Sequence, residues 1–333
     1  MKTIFNNTAG LFGNIYSTLL ESGAELIIPI VLLGALFSFM HPNFLTGSNL
    51  VNILQSIAIF TMASVAMTLV VMEGGIDLSI GAALALIVTV TASVLLAGYG
   101  IALAILTALL LGALIGLING AFIAVLRVDS LIVTIGMMTA LRGIAHIYVG
   151  KRAFYNFPDH FVAIAQGRLL GVPNIIWMAA VVVLVGFFII KYTKIGGNWI
   201  AIGGNRNASR LAGIPIRKYE ILVYCVSGVI IAIASIVQMA RLDAAYASFG
   251  RGLELDAITI VALGGTVLGG GKVNFTGTVL AAILIGLINN GLILSGVGFF
   301  WQSVIRGLLL VFALTLQSIR SNGLLELIKG ETT

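Results

Sequence analysis

Few residues in this 333-residue chain are equipped for chemistry, and they cluster. The segment Glu73-Gly-Gly-Ile-Asp-Leu-Ser79 sets two carboxylates into an apolar run. Its glycines break a helix and expose backbone groups. Two readings are open: a bend lining a path through the protein, or an ordinary helix start capped by Asp77, whose charge is favoured at a helix N-terminus. Arg142 and Arg306 fall well inside apolar stretches. A charge there costs about 2.5–3.5 kcal/mol on insertion scales, so it faces a bundle interior or water. Each arginine either lines a polar pathway or bonds helix-end carbonyls and holds the packing. Asn119 and Asn289 end two copies of the hexapeptide LIGLIN, at 114–119 and 284–289, and join the same candidates for path or packing.

None of this reads as an enzyme. The chain has no GxxxxGK[ST] phosphate loop; the run GGTVLGGGK at 264–272 ends in Lys272 but lacks that spacing, and no strand precedes it. His41, His146 and His160 have no metal-ligand spacing with one another. Serines and carboxylates are scattered without a defensible triad. The single Cys225 excludes a disulfide framework or a Cys-based metal site. No catalytic, cofactor-binding or metal-binding residue is expected.

A different kind of feature occupies residues 191–218. Lys191, Lys194, Arg206, Arg210, Arg217 and Lys218 make this stretch basic, and it contains no acid. Gly203–Gly213 can form a short surface helix, capped by Asn205 or Asn207 and ended by Gly213. Ala208, Leu211 and Ala212 would give it a small apolar face, with Arg206 and Arg210 on one side. Such a face suits insertion into a partner's groove. The alternative is a solvated loop held on the cytoplasmic side by its charge.

The elements that must position these residues are membrane spans. Hydrophobic residues make up 59% of the chain and charged residues only 9%, against roughly 25% in soluble domains. A water-soluble fold is ruled out. The apolar residues suffice for about ten spans of about 20 residues each. With 40 glycines and 5 prolines, close helix packing is expected. The net charge of +6 is assigned to loops facing an anionic leaflet, not to nucleic acid. No cleavable signal peptide is apparent. Candidate spans are 26–40, 51–72, 78–97, 101–126, 131–149, 173–190, 219–240, 257–268, 277–296 and 299–317. A polar loop is expected at 150–172 and an acidic one at 241–256. With the N-terminus inside, inner segments hold 11 Lys and Arg (Lys2, Arg127, the six of the long loop, Lys272, Arg320, Lys329) and outer ones 5 (Lys151, Arg152, Arg168, Arg241, Arg251). The eighth span is short and glycine-rich, so it either crosses or re-enters.

Each LIGLIN copy precedes a span with an Arg-Gly pair, Arg142-Gly143 and Arg306-Gly307. Read as an inverted repeat, a common transporter construction, this gives halves of about 50–150 and 220–318 joined by the basic loop. The expectation is a single all-α polytopic membrane domain over 1–333.

AIGGNRNASRLAGI at 201–214, GGIDLSIGA at 74–82, LELDAITIVALGGTVLGGG at 253–271 and GTVLAAILIGLINNGL at 277–292 together resemble ribose-type ABC importer permeases. The order is that of the family. One departure is Gly197, where the family often has Arg. The resemblance implies the ten-helix vitamin-B12-type permease fold in a bacterial inner membrane, with both termini cytoplasmic. It implies a second permease chain, in a homodimer or heterodimer, and a periplasmic substrate-binding protein. It also implies an ABC ATPase subunit that carries the ATP and grips a coupling helix at 203–214, through Gly203, Asn205, Arg206, Ala208, Arg210, Leu211 and Gly213. The implied cargo is a pentose or hexose; relatives carry nucleosides, autoinducer-like sugars or branched-chain amino acids. Rival readings are an ion-coupled secondary transporter, which would carry buried carboxylates, and a non-transporting scaffold or receptor, which would carry a larger soluble domain.

Overall fold

The computed structural model describes residues 24–150 and 152–322. Lys2, Lys151 and Lys329, counted above, lie outside them. A 3-10 turn (Ala24–Leu26) leads into α1 (Ile27–Met40). Then follow α2 (Gly47–Met72), α3 (Ile80–Leu96), α4 (Ile101–Ala124) and α5 (Ser130–Val149). The segment expected as a loop at 150–172 contains β1 (Phe154–Tyr155), α6 (Asp159–Gln166) and β2 (Arg168–Leu169), with β3 (Val172–Pro173) at its edge. Beyond it come α7 (Asn174–Tyr192), α8 (Lys194–Gly204), α9 (Arg206–Leu211) and α10 (Ile216–Leu242). β4 (Ala244–Ala245), α11 (Leu253–Leu263), α12 (Phe275–Leu294) and α13 (Phe299–Asn322) complete the chain. The strands form two small antiparallel pairs, β1 with β4 and β2 with β3.

Among the described residues, seven helices are long and apolar enough to cross a bilayer: α2, α4, α5, α7, α10, α12 and α13. α1 and α3 are apolar but shorter. Their surfaces explain why the sequence looks as it does. Of the apolar window of α2, 78% is buried, and of α10, 61%. The figure is 28% for α4 and 6% for α13. A helix apolar all round yet largely uncovered is stable only against lipid or another chain.

The expected eighth span differs from the structure. α11 starts at Leu253 and ends at Leu263, only 11 residues. Glu254 and Asp256, assigned above to an acidic loop, form its first turn and are buried. Carboxylates there stabilise the positive end of the helix dipole, which a hydropathy window does not register. The glycine-rich stretch after α11 continues in irregular backbone as far as α2's end, where Gly271 N–H donates to Met72 O at 2.9 Å.

The most extensive packing joins α4 to α10. Gly112, Gly116 and Gly120 lie at four-residue intervals on one face of α4. A Cβ on Gly112 would overlap the Gly228 carbonyl, one on Gly116 the Tyr224 carbonyl, and one on Gly120 the Ile221 backbone. Small residues let helix backbones touch in this way. These contacts also fix direction: residues 112 to 120 meet 228 down to 221, so α4 and α10 are antiparallel. α2 is antiparallel to α10, since Arg241 donates to Gln55 and Ser56 at one end while Gly75 meets Tyr224 at the other. α12 is antiparallel to α2, because Asn290 bonds Asn49 and Gly286 packs on Ile57. Hence α2 opposes α10, and α4 opposes α12, the geometry an inverted repeat requires.

Replacing Gly116 with Leu is expected to destabilise by about 3 kcal/mol or more, because backbone cannot yield as a side chain can. Gly136→Ala, whose Cβ meets open space, should be tolerated. Monodisperse recovery from detergent size-exclusion chromatography checks both, and equal yields would refute the contact's importance.

Candidate functional site

Two places concentrate polar groups. The first is the basic end of the bundle. Here α8 is a helix within the stretch at 191–218, where only one short helix over 203–213 was expected. Thr193 caps it by accepting from Gly196 N–H at 3.2 Å, and Trp199 buries its ring while donating to Tyr219 O at 2.9 Å. Gly203 belongs to this helix, not to the short one that follows. The break falls at Asn205, whose extended backbone (φ −158°, ψ 100°) frees its side chain to cap α9 through Ala208 N–H at 2.9 Å. Asn205, not Asn207, is therefore the cap. Gly213 ends the turn at φ +81°, with Gly213 N–H on Arg210 O at 3.0 Å and Ile214 N–H on Ser209 O at 3.1 Å. Leu211 is 90% exposed, and Ala208, Arg210 and Ala212 are exposed with it. Gly197 is exposed on α8, with nothing near its Cβ position.

Arg206 does not simply face outward. Its guanidinium pairs with Glu220, which is 1% exposed on the first turns of α10. Glu73, the residue that ends α2, sits beside them. Arg127, Asp129, Arg210 and Tyr224 share the cavity of about 330 Å³ between these elements. Burial, and next the Glu220 carboxylate, raise Glu73 from 4.5 to about 8 despite the opposing pull of Arg206. Glu220 was missed in the sequence because it looks like one more acid at a span end; its pairing with a residue 14 positions away is a tertiary fact.

The second place is where α3 and α11 begin. Asp77 is buried and lies two residues before the N-cap position, so it is neither the cap itself nor exposed at a surface. Its Oδ1 accepts from Ser79 N–H at 2.9 Å and Ser79 Oγ–H at 2.6 Å. Asn119 reaches from α4 to donate to Ser79 Oγ at 2.9 Å. At the start of α11, Arg306 Nε binds Asp256 Oδ1 at 2.8 Å. Asp77-Leu-Ser79 and Glu254-Leu-Asp256 share an acid-Leu-polar pattern, a sequence signal that marks Asp256. Arg142 donates to the carbonyls of Ala247 (3.1 Å) and Phe249 (2.6 Å), tying down the loop before α11. Gly81 packs on the Gly250 carbonyl, so the two helix starts meet. Asn289 does not join Asn119; it lines a separate cavity of about 200 Å³ with Arg306, Asp256, Gln238 and Arg241.

A family described as branched-chain amino acid transport system / permease component matches residues 49–314. The ribose import permease protein RbsC of Escherichia coli (strain K12) is 39% identical over 291 residues, 86% of this chain and 91% of that protein. The D-allose transport system permease protein AlsC of the same organism is 32% identical over 301 residues, 90% of this chain and 92% of the relative. The L-arabinose ABC transporter permease protein AraH of Azospirillum brasilense is 31% identical over 310 residues, 93% and 91% of the two chains. No solved structure matches the chain.

Breaking a buried ion pair costs about 3–5 kcal/mol, whereas removing both partners is far milder. Arg306→Leu should therefore lower the thermal midpoint sharply, and Arg306→Leu combined with Asp256→Leu should recover most of it. Additive losses in a double-mutant cycle would show the pair to be unimportant. At Glu73, the folded chain keeps a proton between about pH 5 and 8 that the unfolded chain releases. Stability contributed there is complete at low pH and is lost as pH rises through about 8. Glu73→Gln should flatten that decline in a thermal-melt series from pH 5 to 9; parallel curves would refute it.

Proposed function

This chain belongs to the branched-chain amino acid transport system / permease component family, and we propose that it is the membrane subunit of a bacterial ABC importer for a monosaccharide. The observation that carries this is identity along nearly the whole chain to permeases named for ribose, allose and arabinose. The polar groups described above fit a conduit with no catalytic duty: they pair, cap and line cavities, and energy enters from outside.

The proposed entry point is α9. Its exposed Leu211, Ala208 and Arg210 offer a small apolar face edged by charge, suited to a groove on an ATPase subunit, which would bind the ATP. Motion there would pass through Arg206–Glu220 into α10, the central helix of the second half, and through Gly203 to the end of α2. Alternating access would follow as α10 shifts against α4. A periplasmic binding protein would deliver sugar to the opposite end, and a second permease chain, identical or related, would cover the apolar surfaces of helices such as α13.

In this reading the basic end faces the cytoplasm. The chain makes ten crossings, with α11 and the irregular stretch after it counting as one, in an arrangement of the vitamin-B12-type permease kind. Both termini are then inside. Buried Asp256, Glu254 and Asp77 are the feature an ion-driven carrier would share, and they keep that second reading testable.

Leu211→Asp and Arg210→Glu alter only exposed positions of α9. Both should reduce ATPase co-purification about tenfold or more while leaving membrane insertion intact. Arg206→Glu should do the same and also destabilise the chain, by placing a third carboxylate beside Glu73 and Glu220. Undiminished ATPase capture by Leu211→Asp would sink the coupling assignment; gradient-driven sugar uptake by the chain alone would favour the carrier.

A further inference from the structure

The cavity of about 200 Å³ opens where α10 and α12 finish and α2 begins, the end opposite α9. Phe60 of α2 and Leu84 of α3 give it apolar wall. It is smaller than the roughly 300–1,000 Å³ of sites for drug-sized ligands, so its occupant is a small solute.

Its polar groups define the chemistry. Gln238 Oε1 is buried and has no hydrogen-bond partner. Such groups in native structures call for a partner of some kind. Asn289 lines the same space, and its amide forms no hydrogen bond among the described residues. Of the three guanidinium groups, Arg306 is neutralised by Asp256, Arg241 donates to Gln55 and Ser56, and Arg251 is exposed at the rim. Inside that rim the unengaged side chains are the two neutral amides. A side-chain amide presents a donor and an acceptor in one plane, a match for adjacent hydroxyls that are each both. The apolar wall accepts the C–H face of the same molecule.

We infer that this cavity is a way-station for a neutral polyhydroxylated solute of monosaccharide size, with Gln238 and Asn289 as its recognition groups. The inference rests on the importer reading and adds a substrate-selective site on the permease itself, separate from any delivery protein. Because a hydroxyl-reading site rejects analogues that lack the hydroxyl, it predicts selectivity in this chain alone.

The test uses the full chain in lipid nanodiscs, with D-ribose, 2-deoxy-D-ribose and D-ribose 5-phosphate as probes in equilibrium-binding measurements. It is paired with sugar uptake per ATP hydrolysed by the complete transporter in proteoliposomes. Gln238→Met and Asn289→Leu keep side-chain volume and remove hydrogen-bonding capacity. Each should weaken D-ribose binding and lower uptake per ATP about tenfold, roughly the worth of one net hydrogen bond, with ATPase association unchanged. Asn289→Leu sacrifices no internal hydrogen bond, so it keeps the test valid if Gln238→Met misfolds. Wild-type behaviour of Asn289→Leu in both assays, or tighter binding of the phosphate than of ribose, overturns the cavity inference and leaves the importer intact. A wild-type transporter that imports no sugar overturns the importer reading, and this inference with it.

Discussion

The direct backbone contact between α4 and α10 is the constraint on which the other parts depend. Lipid offers helices no hydrophobic reward for associating, so packing must come from close approach. Gly112, Gly116 and Gly228 supply it. This seam joins a helix before the α8–α9 segment to the helix after it. It carries Asn119 to Ser79 on one side, and on the other positions Tyr224 and Glu220 over the break after α2. Both polar clusters are consequences of where the seam lies.

Arg306, Arg142 and Arg206 each have a specific counter-group, and the kinds differ. Arg306 meets a carboxylate, Arg142 meets two loop carbonyls, and Arg206 meets Glu220. The first two hold the start of α11; the third holds the start of α10. The sequence reading left both arginines open between path and packing. Geometry divides them: Arg142 ties a loop, whereas Arg306 both pairs and borders a cavity.

Much of the helical order was legible in the chain, for a physical reason. Apolar runs of span length are a strong, local signal, and the helices at 47–72, 101–124 and 216–242 lie within a few residues of their expected limits. Gly213 was legible too, and the cap was narrowed to Asn205 or Asn207, since residue type marks caps; the extended backbone of Asn205 decides between them. α11 was not, because the helix begins with two acids and stops before a hydropathy window fills. Nor was α8, whose four glycines and leading lysine resemble a loop; Trp199 and Thr193 stabilise it through contacts that sequence does not display. Gln238 escaped notice altogether, as one polar residue in an apolar helix has no spacing to mark it.

At the foot of α2, Met72 O, Gly203 and the Gly270–Gly271 backbone meet with no side chains between them. Ordinary helix contacts contain rotamers, which act as springs and dissipate small displacements. This junction has none. A displacement of α8 would therefore bear directly on α2 and on the glycine-rich stretch after α11. The stiffness comes from what the residues lack, so even an added methyl group would jam the joint rather than soften it.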